Sequence, residues 1–173
     1  MIKNTLEIFY DYICPFCYRG LHEFFELLPD YHHVHIDLCP CEVNPGAPLS
    51  AASSYRAIQL AYYLKSRNLN LKRYNDLIFE EYFENQGDIN NVEVLMRFAK
   101  ESGADLEDAA SVFDNASYAR KIQEANHLVW QKLRVPAVPA YRLGDIVQSS
   151  SGGLLISRAK LIALLELANA EKK

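Results

Sequence analysis

The sequence predicts an α/β protein whose sheet is interrupted by a long run of helices. Three observations carry that prediction. Two β-rich stretches, "TLEIFY" at 5–10 and "HVHIDL" at 33–38, flank a helical pattern that begins at Pro15. After "NPGAP", about 80 residues keep helical texture. Beyond Pro136 the strand texture returns.

The first strand stops at Asp11, and Cys14 and Cys17 follow at once. From Pro15 to Leu28 the apolar residues Phe16, Cys17, Leu21, Phe24, Phe25 and Leu28 recur at helical spacing. Pro15 suits the first helical position and Cys14 the N-cap. Pro29-Asp30 ends this helix. In the second strand Val34, Ile36 and Leu38 alternate with His33, His35 and Asp37, giving one apolar and one polar face. Helices are expected near 50–67, 71–86, 91–102, 105–113 and 116–133, separated by Asn68-Leu69-Asn70, Gly87-Asp88, Gly103 and Asp114-Asn115. "AVPAYRL", the turn Gly144-Asp145 and "IVQS" then read as a hairpin, followed by a last helix around 155–170. The βαβ crossover makes the first two strands parallel, with the cysteines in the loop at the carboxyl end of the first strand. That is the end of an open α/β sheet where ligands collect.

Composition narrows the function. The 173 residues are half hydrophobic, which suits an ordinary globular core. A formal net charge of −4 without a Lys/Arg run argues against a nucleic-acid partner. No apolar run reaches the roughly 18 residues of a membrane span, and the N-terminus lacks a signal-peptide pattern, so a cytoplasmic location without a membrane partner is expected. Four cysteines, Cys14, Cys17, Cys39 and Cys41, are too few and too clustered to staple a chain of this length. In a reducing compartment such short pairs are catalytic or metal-binding more often than structural.

At a helix N-cap, Cys14 meets unpaired amides and the positive end of the dipole, which favour its thiolate. It is the expected nucleophile. Cys17, one turn on and facing the buried side, is the expected resolving thiol. C-x-x-C is also half of a zinc site, although zinc ribbons place the pair on a tight β-turn rather than before a proline and an apolar helical stripe.

"FYDYICPFCYRG" resembles the active-site segment of the DsbA-like thioredoxin-fold oxidoreductases, in particular the FrnE-like branch, which combines an Asp three before the first Cys with a C-P-aromatic-C-Y run. "CEVNP" and "VPAVPAY" resemble two further segments of that branch, and a helical insertion between the second and third strands is the family's plan. The resemblance implies a thioredoxin-like domain made of residues 1–48 and 134–173 with a helical insertion domain at 49–133. It implies thiol–disulfide exchange with protein or peptide thiols through a mixed disulfide. The Cys14–Cys17 disulfide would itself carry the electrons, with no organic cofactor and no metal, and with glutathione as a possible exchange partner. It also implies that Pro139 rather than Pro136 is cis and lies against the cysteine pair, with Val138 offering backbone groups to an extended substrate and Pro15 and Phe16 completing the substrate surface. Monomer and homodimer both remain open. Related 2-hydroxychromene-2-carboxylate isomerases and kappa-class glutathione transferases share the plan, which makes a glutathione-dependent isomerase or transferase the first alternative. A non-catalytic metal-binding module is the second.

Asp11 could accept a proton when Cys17 must become a thiolate, or it could be a solvated turn carboxylate. Phe16 stands where a better-known relative has a His, so it supplies no cation and a less oxidising disulfide is expected. Tyr18 reads as a packing aromatic. Cys39-Pro40-Cys41 departs from the family pattern. It is expected near the first pair, as a second redox pair, as part of a metal site shared among four thiols, or as small semi-buried thiols. By parity His33, His35, Asp37, Cys39 and Cys41 would project to one face unless Pro40 breaks the alternation, and side chains two apart on a strand, about 7 Å from one another, cannot all reach one ion. Trp130, Tyr62, Tyr63, Tyr74 and Tyr82 fall on helical stripes as core or groove lining. His22, His32 and His127 have no partner at ligand spacing, and Ser149-Ser150-Ser151-Gly152-Gly153 lacks a P-loop lysine.

Overall fold

The computed structural model describes residues 5–49 and 53–170. Strand β1 (Thr5–Tyr10) lies inside a four-stranded sheet. It pairs in parallel with β2 (His35–Pro40) and antiparallel with β3 (Ala140–Leu143), which pairs antiparallel with β4 (Ile146–Ser149). An interior strand must be apolar on both faces, and Leu6, Ile8, Phe9 and Tyr10 are all fully buried. The two-residue turn Gly144-Asp145 joins β3 to β4, with Gly144 at a φ of +60° that a side chain would resist.

The second strand differs from the expected 33–38. It begins two residues later and runs on through Cys39 to Pro40, with Phe9 opposite Cys39 and Tyr10 opposite Pro40. An edge strand tolerates a proline at its last position. His33 therefore lies before the strand, where its N–H donates to Asn169 Oδ1 at 2.9 Å.

Helix α1 (Pro15–Leu27) buries Cys17, Leu21 and Phe24, the stripe its spacing predicts, and each large apolar side chain so buried contributes about 1.5–3 kcal/mol. Phe24 meets Tyr141 of β3, with ring centroids 5.6 Å apart. A short 3₁₀ turn, Leu28–Asp30, closes the helix at the predicted proline. The C-terminal helix α7 (Arg158–Asn169) packs beside α1.

Between β2 and β3 the chain builds α2 (Tyr55–Ser66), α3 (Leu71–Phe79), α4 (Val92–Glu101), α5 (Leu106–Ala110) and α6 (Ala116–Asn126). Two of the breaks seen in the sequence contain N-caps, Asn70 and Asn115, and two further caps, Asn91 and Asp105, follow shortly after the breaks at Gly87-Asp88 and Gly103. Asn70, Asn91, Asp105 and Asn115 each accept a backbone N–H in the first turn, an interaction typically worth about 1 kcal/mol. The first predicted helix starts later than expected, and residues 50–52 lie outside those described. The stretches expected as single helices over 71–86 and 116–133 each change register near the end. The first continues as a π-helix over Glu80–Glu84 and the second over His127–Lys132. A 3.6-residue apolar pattern cannot announce that widening, because the same side chains stay on nearly the same face. α2 and α6 touch β2, so the helical block leans on the sheet edge that carries Cys39.

Candidate active site

The end of β1 and the start of α1 place Cys14 as the N-cap of α1, in extended conformation, with Pro15 exposed behind it. First-turn amides of a helix lack intrahelical acceptors. Cys14 Sγ takes one of them, the Cys17 N–H, at 3.4 Å. Its pKa falls to about 7. The largest cause is the S–H of Cys17, which donates to the sulfur. The backbone N–H groups of Cys17 and Phe16 add to it, while burial and the Asp11 carboxylate oppose it. No cation enters that balance among its leading causes. Cys17 is the converse: fully buried, it is pushed well above the ordinary thiol range by burial and then by donating to Cys14. One proton thus sits between two unequal thiols.

Asp11 has no exposed surface, so it is not a solvated turn residue. Burial raises its carboxyl to about 6, against hydrogen bonds from the Ser54 side chain and the backbone N–H groups of Val43 and Ile13. The two amide bonds measure 2.6 Å from Val43 and 3.3 Å from Ile13. Cys17 Sγ is met by the Asp11 backbone N–H at 3.4 Å, not by its carboxyl.

The opposite wall is the loop before β3. The Val138–Pro139 peptide bond is the one cis bond among the described residues. Cys14 Sγ lies 3.6 Å from the Val138 carbonyl oxygen, to which its thiol donates, and Pro139 is buried beside α1. Gly20 makes that approach possible: a Cβ there would stand 2.8 Å from Pro139 Cγ, and its carbonyl accepts the Tyr141 hydroxyl at 3.2 Å. Phe16 is half-buried at the rim.

The second cysteine pair is split. Pro40 ends the strand, so the expected row of five donors on one face does not form. His35 is exposed at the strand start, and His33 lies outside it. Cys39 stays on the sheet face of Glu7 and Asp37, 3.6 Å from both Lys65 Nζ and the Asp37 carbonyl. Burial pushes its thiol up to about 12, with Lys65 opposing. Cys41 is fully buried, donates its N–H to the Tyr10 carbonyl at 2.8 Å, and is raised by burial and then by Asp11, with Cys39 and Cys14 adding to it. All four thiols are free. Among the described residues the donors that come within 4.8 Å of one another are those of Glu7, Asp37 and Cys39, so the four thiols do not converge on a shared metal site. Both carboxylates are already engaged, Glu7 by Arg142 and Asp37 by Lys65.

Several contributors were not singled out from sequence. Val43, Ser54 and Gly20 act through backbone position or a short side chain, and only the glycine in "CYRGL" offers a signal. Tyr62 and Trp130, expected as lining, brace the split segment by donating to the Pro40 and Glu42 carbonyls, both at 2.8 Å. Tyr74 is core, its hydroxyl donating to the Ala57 carbonyl at 3.1 Å.

A helix-capping C-P-x-C against a loop with a cis X-Pro bond, in a mixed sheet carrying a helical insertion, defines a thioredoxin-type fold. The model of the DSBA-like thioredoxin domain matches residues 5–154, and the chain belongs to that family of oxidoreductases. Among individual proteins, it is 20% identical to YwbO of Bacillus subtilis (strain 168) over 182 residues, covering 86% of this chain and 90% of that protein. It is similar in structure to a "probable DsbA oxidoreductase" of Streptomyces coelicolor, with a TM-score of 0.78 and 19% identity over 98% of this chain and 91% of that one. A thioredoxin-like oxidoreductase from Silicibacter pomeroyi gives a TM-score of 0.70 and 20% identity, covering 95% and 85%. At these identities the structural likenesses speak for the fold.

Proposed function

We propose that the chain exchanges disulfides with protein or peptide thiols through Cys14 and Cys17. The observation that carries this reading is the inequality of the two thiols: Cys14 lowered to about 7 at a helix N-terminus, and Cys17 raised one turn behind it. A nucleophile must be ionised near neutral pH, and a resolving thiol must wait protonated.

In the oxidising direction a substrate thiolate attacks Cys14 Sγ of the Cys14–Cys17 disulfide. The S–S bond breaks, Cys17 leaves as a thiolate, and a proton restores its thiol. A second substrate thiolate then attacks the substrate sulfur of the mixed disulfide and expels Cys14 as a thiolate, so two electrons enter the enzyme pair. The reducing direction runs these steps backwards. Asp11, with a pKa of about 6, can hold the proton that Cys17 takes or gives, relayed by water since its carboxyl does not touch Cys17. The Val138 carbonyl, beside Cys14 Sγ, is placed to accept a backbone N–H from an extended substrate, with Pro139, Pro15 and Phe16 as the apolar surround.

The donors to Cys14 are neutral, and a nucleophile near 7 resembles the about 7 of thioredoxin more than the about 3.5 of the strongest oxidant of this fold. The expected reduction potential of the pair is therefore intermediate, roughly −270 to −180 mV. Equilibration of the wild-type pair in glutathione buffers, read by tryptophan fluorescence or thiol trapping, measures it. A pair that never forms a Cys14–Cys17 disulfide across that range would overturn the assignment.

A further inference from the structure

α1 and α3 run antiparallel and enclose a groove of about 380 Å³ that the exchange chemistry leaves unused. Leu21 and Phe25 from α1 and Phe79 from α3 give it apolar walls. Its two ends differ. At the end nearer Cys14, Tyr18 packs on Phe83 with ring centroids 5.1 Å apart and donates its hydroxyl to Glu84, with Glu80 alongside. Neither Glu80 nor Glu84 has a basic partner among the described residues. At the far end Lys72 lies 5.1 Å over the Phe25 ring and is neutralised by Asp76 at 2.7 Å. Glu26, 3.4 Å from His22, also lines the far end, so that end carries one cation against two carboxylates, while the end nearer Cys14 carries two carboxylates and no cation and is the more anionic of the two.

Asn75, on the α3 wall, is 2% exposed. Its Oδ1 accepts the Tyr12 hydroxyl at 2.6 Å and the Tyr10 hydroxyl at 3.1 Å, which fills the oxygen's acceptor positions and fixes which way the amide points. Its Nδ2 has no partner. A buried donor pair without an acceptor is costly, and the groove that Asn75 lines is the adjoining void; the amide nitrogen is itself closed off from it, so an acceptor reaches it only as the wall gives way to an occupant.

We propose that this groove receives an extended segment of the protein substrate whose cysteine is joined to Cys14. A basic side chain of that segment lies between Glu80 and Glu84, a backbone carbonyl meets the Asn75 amide, and an apolar side chain lies on Leu21, Phe25 and Phe79. The inference rests on the exchange reading and specifies the substrate for it. Spacing sets the register. Tyr18 is one helical turn from Cys14, about 6 Å at 1.5 Å per residue. Asn75 lies one turn of α3 beyond Phe79, about 6 Å further. An extended chain advances about 3.3 Å per residue, which puts the basic residue about two positions from the substrate cysteine and the carbonyl about four.

The test uses acetylated, amidated peptides that differ only in carrying Lys or Glu two positions from a cysteine, with Leu two positions further on. With the full-length oxidised protein the Lys peptide should react at least about tenfold faster than the Glu peptide. The double substitution Glu80→Lys/Glu84→Lys should abolish or invert that preference while leaving the rate with dithiothreitol within about twofold. Asn75→Asp keeps both tyrosine bonds but replaces the donor with an acceptor, and should weaken binding of both peptides. Calorimetric binding of serine-substituted peptides to the Cys14→Ala/Cys17→Ala protein separates the two proposals. Lys-selective binding without any exchange in the wild type sinks the exchange reading and keeps the groove. Exchange whose Lys preference survives the Glu80→Lys/Glu84→Lys change overturns the groove. Self-association abolished by the same double change would assign the groove to a second copy of this chain, and also overturns it.

Discussion

The two cysteine pairs lie at the carboxyl ends of the neighbouring parallel strands β1 and β2, and their environments are opposite. Cys14 caps a helix, where backbone N–H groups have no other acceptor and turn toward its sulfur. Cys39 and Cys41 end a strand, where the ladder already uses the local amides; the Cys41 N–H goes to the Tyr10 carbonyl. Burial and nearby carboxylates raise a thiol pKa, and donors or cations facing the sulfur lower it; Cys14 has several such donors, whereas Cys39 has Lys65 against burial and two carboxylates. Hence Cys14 comes down to about 7 while Cys39 rises to about 12, although both are largely hidden. Lying near Cys14 does not by itself lower a thiol's pKa.

The sharpest way to break this contrast is to remove each pair in turn. Cys14→Ser should lower protein disulfide exchange, assayed by insulin reduction, by at least about a thousandfold. Cys39→Ala/Cys41→Ala should stay within about threefold per folded molecule. A comparable loss in both variants would end the distinction. Next in size is the resolving step. Cys17→Ser should accumulate a Cys14–substrate mixed disulfide, visible by non-reducing mass spectrometry, with turnover down about a hundredfold. Turnover at the wild-type rate in that variant would make Cys41 a resolving thiol.

A smaller effect concerns Asp11. Its folded pKa of about 6 lies above the ordinary 3.8. The folded state therefore binds more protons between about pH 4 and 6, and the stability this gives is full below about 4 and lost as pH rises through 6. The Tm of Asp11→Asn relative to wild type, measured on the reduced protein, should move in the variant's favour by about 5 °C between pH 4 and pH 8, on top of a pH-independent loss because its NH2 must face one of the two N–H groups that the carboxylate accepts. A Tm difference independent of pH would contradict it. Smallest is Lys65→Met, which removes the cation beside Cys39. It should cost at most about 1 kcal/mol in denaturant unfolding and leave the alkylation midpoint of Cys14 unmoved. A shifted Cys14 midpoint would show that the two pairs are coupled.

The helix-capping role of Cys14 and the burial of Cys17 were legible because both follow from local spacing: a strand end, a proline at the first helical position and an apolar stripe. Most helix starts were legible to within a residue or so because polar and glycine breaks precede them, although only the structure shows that Asn70, Asn91 and Asn115 are the caps. The strand slip at His35 was not, because alternation alone cannot say where pairing with β1 begins. Pro40 marks in the sequence a point where the alternation can break, but not where Cys41 goes beyond it, so the separation of Cys39 from Cys41 was legible only in part. Asp11's burial depends on Val43 and Ser54, which only the fold brings to it. The π-helical ends, and with them the meeting of Tyr18 with Glu84, leave no mark on apolar periodicity.

The central claim, that one thiol of four is activated, is tested most directly by alkylating the fully reduced, folded protein with iodoacetamide from about pH 5 to 10 and quantifying each cysteine by peptide mass spectrometry. The predicted result is half-maximal labelling of Cys14 near pH 7, with Cys17, Cys39 and Cys41 protected across the range. Labelling of Cys39 or Cys41 at or below the pH that labels Cys14 would contradict the account.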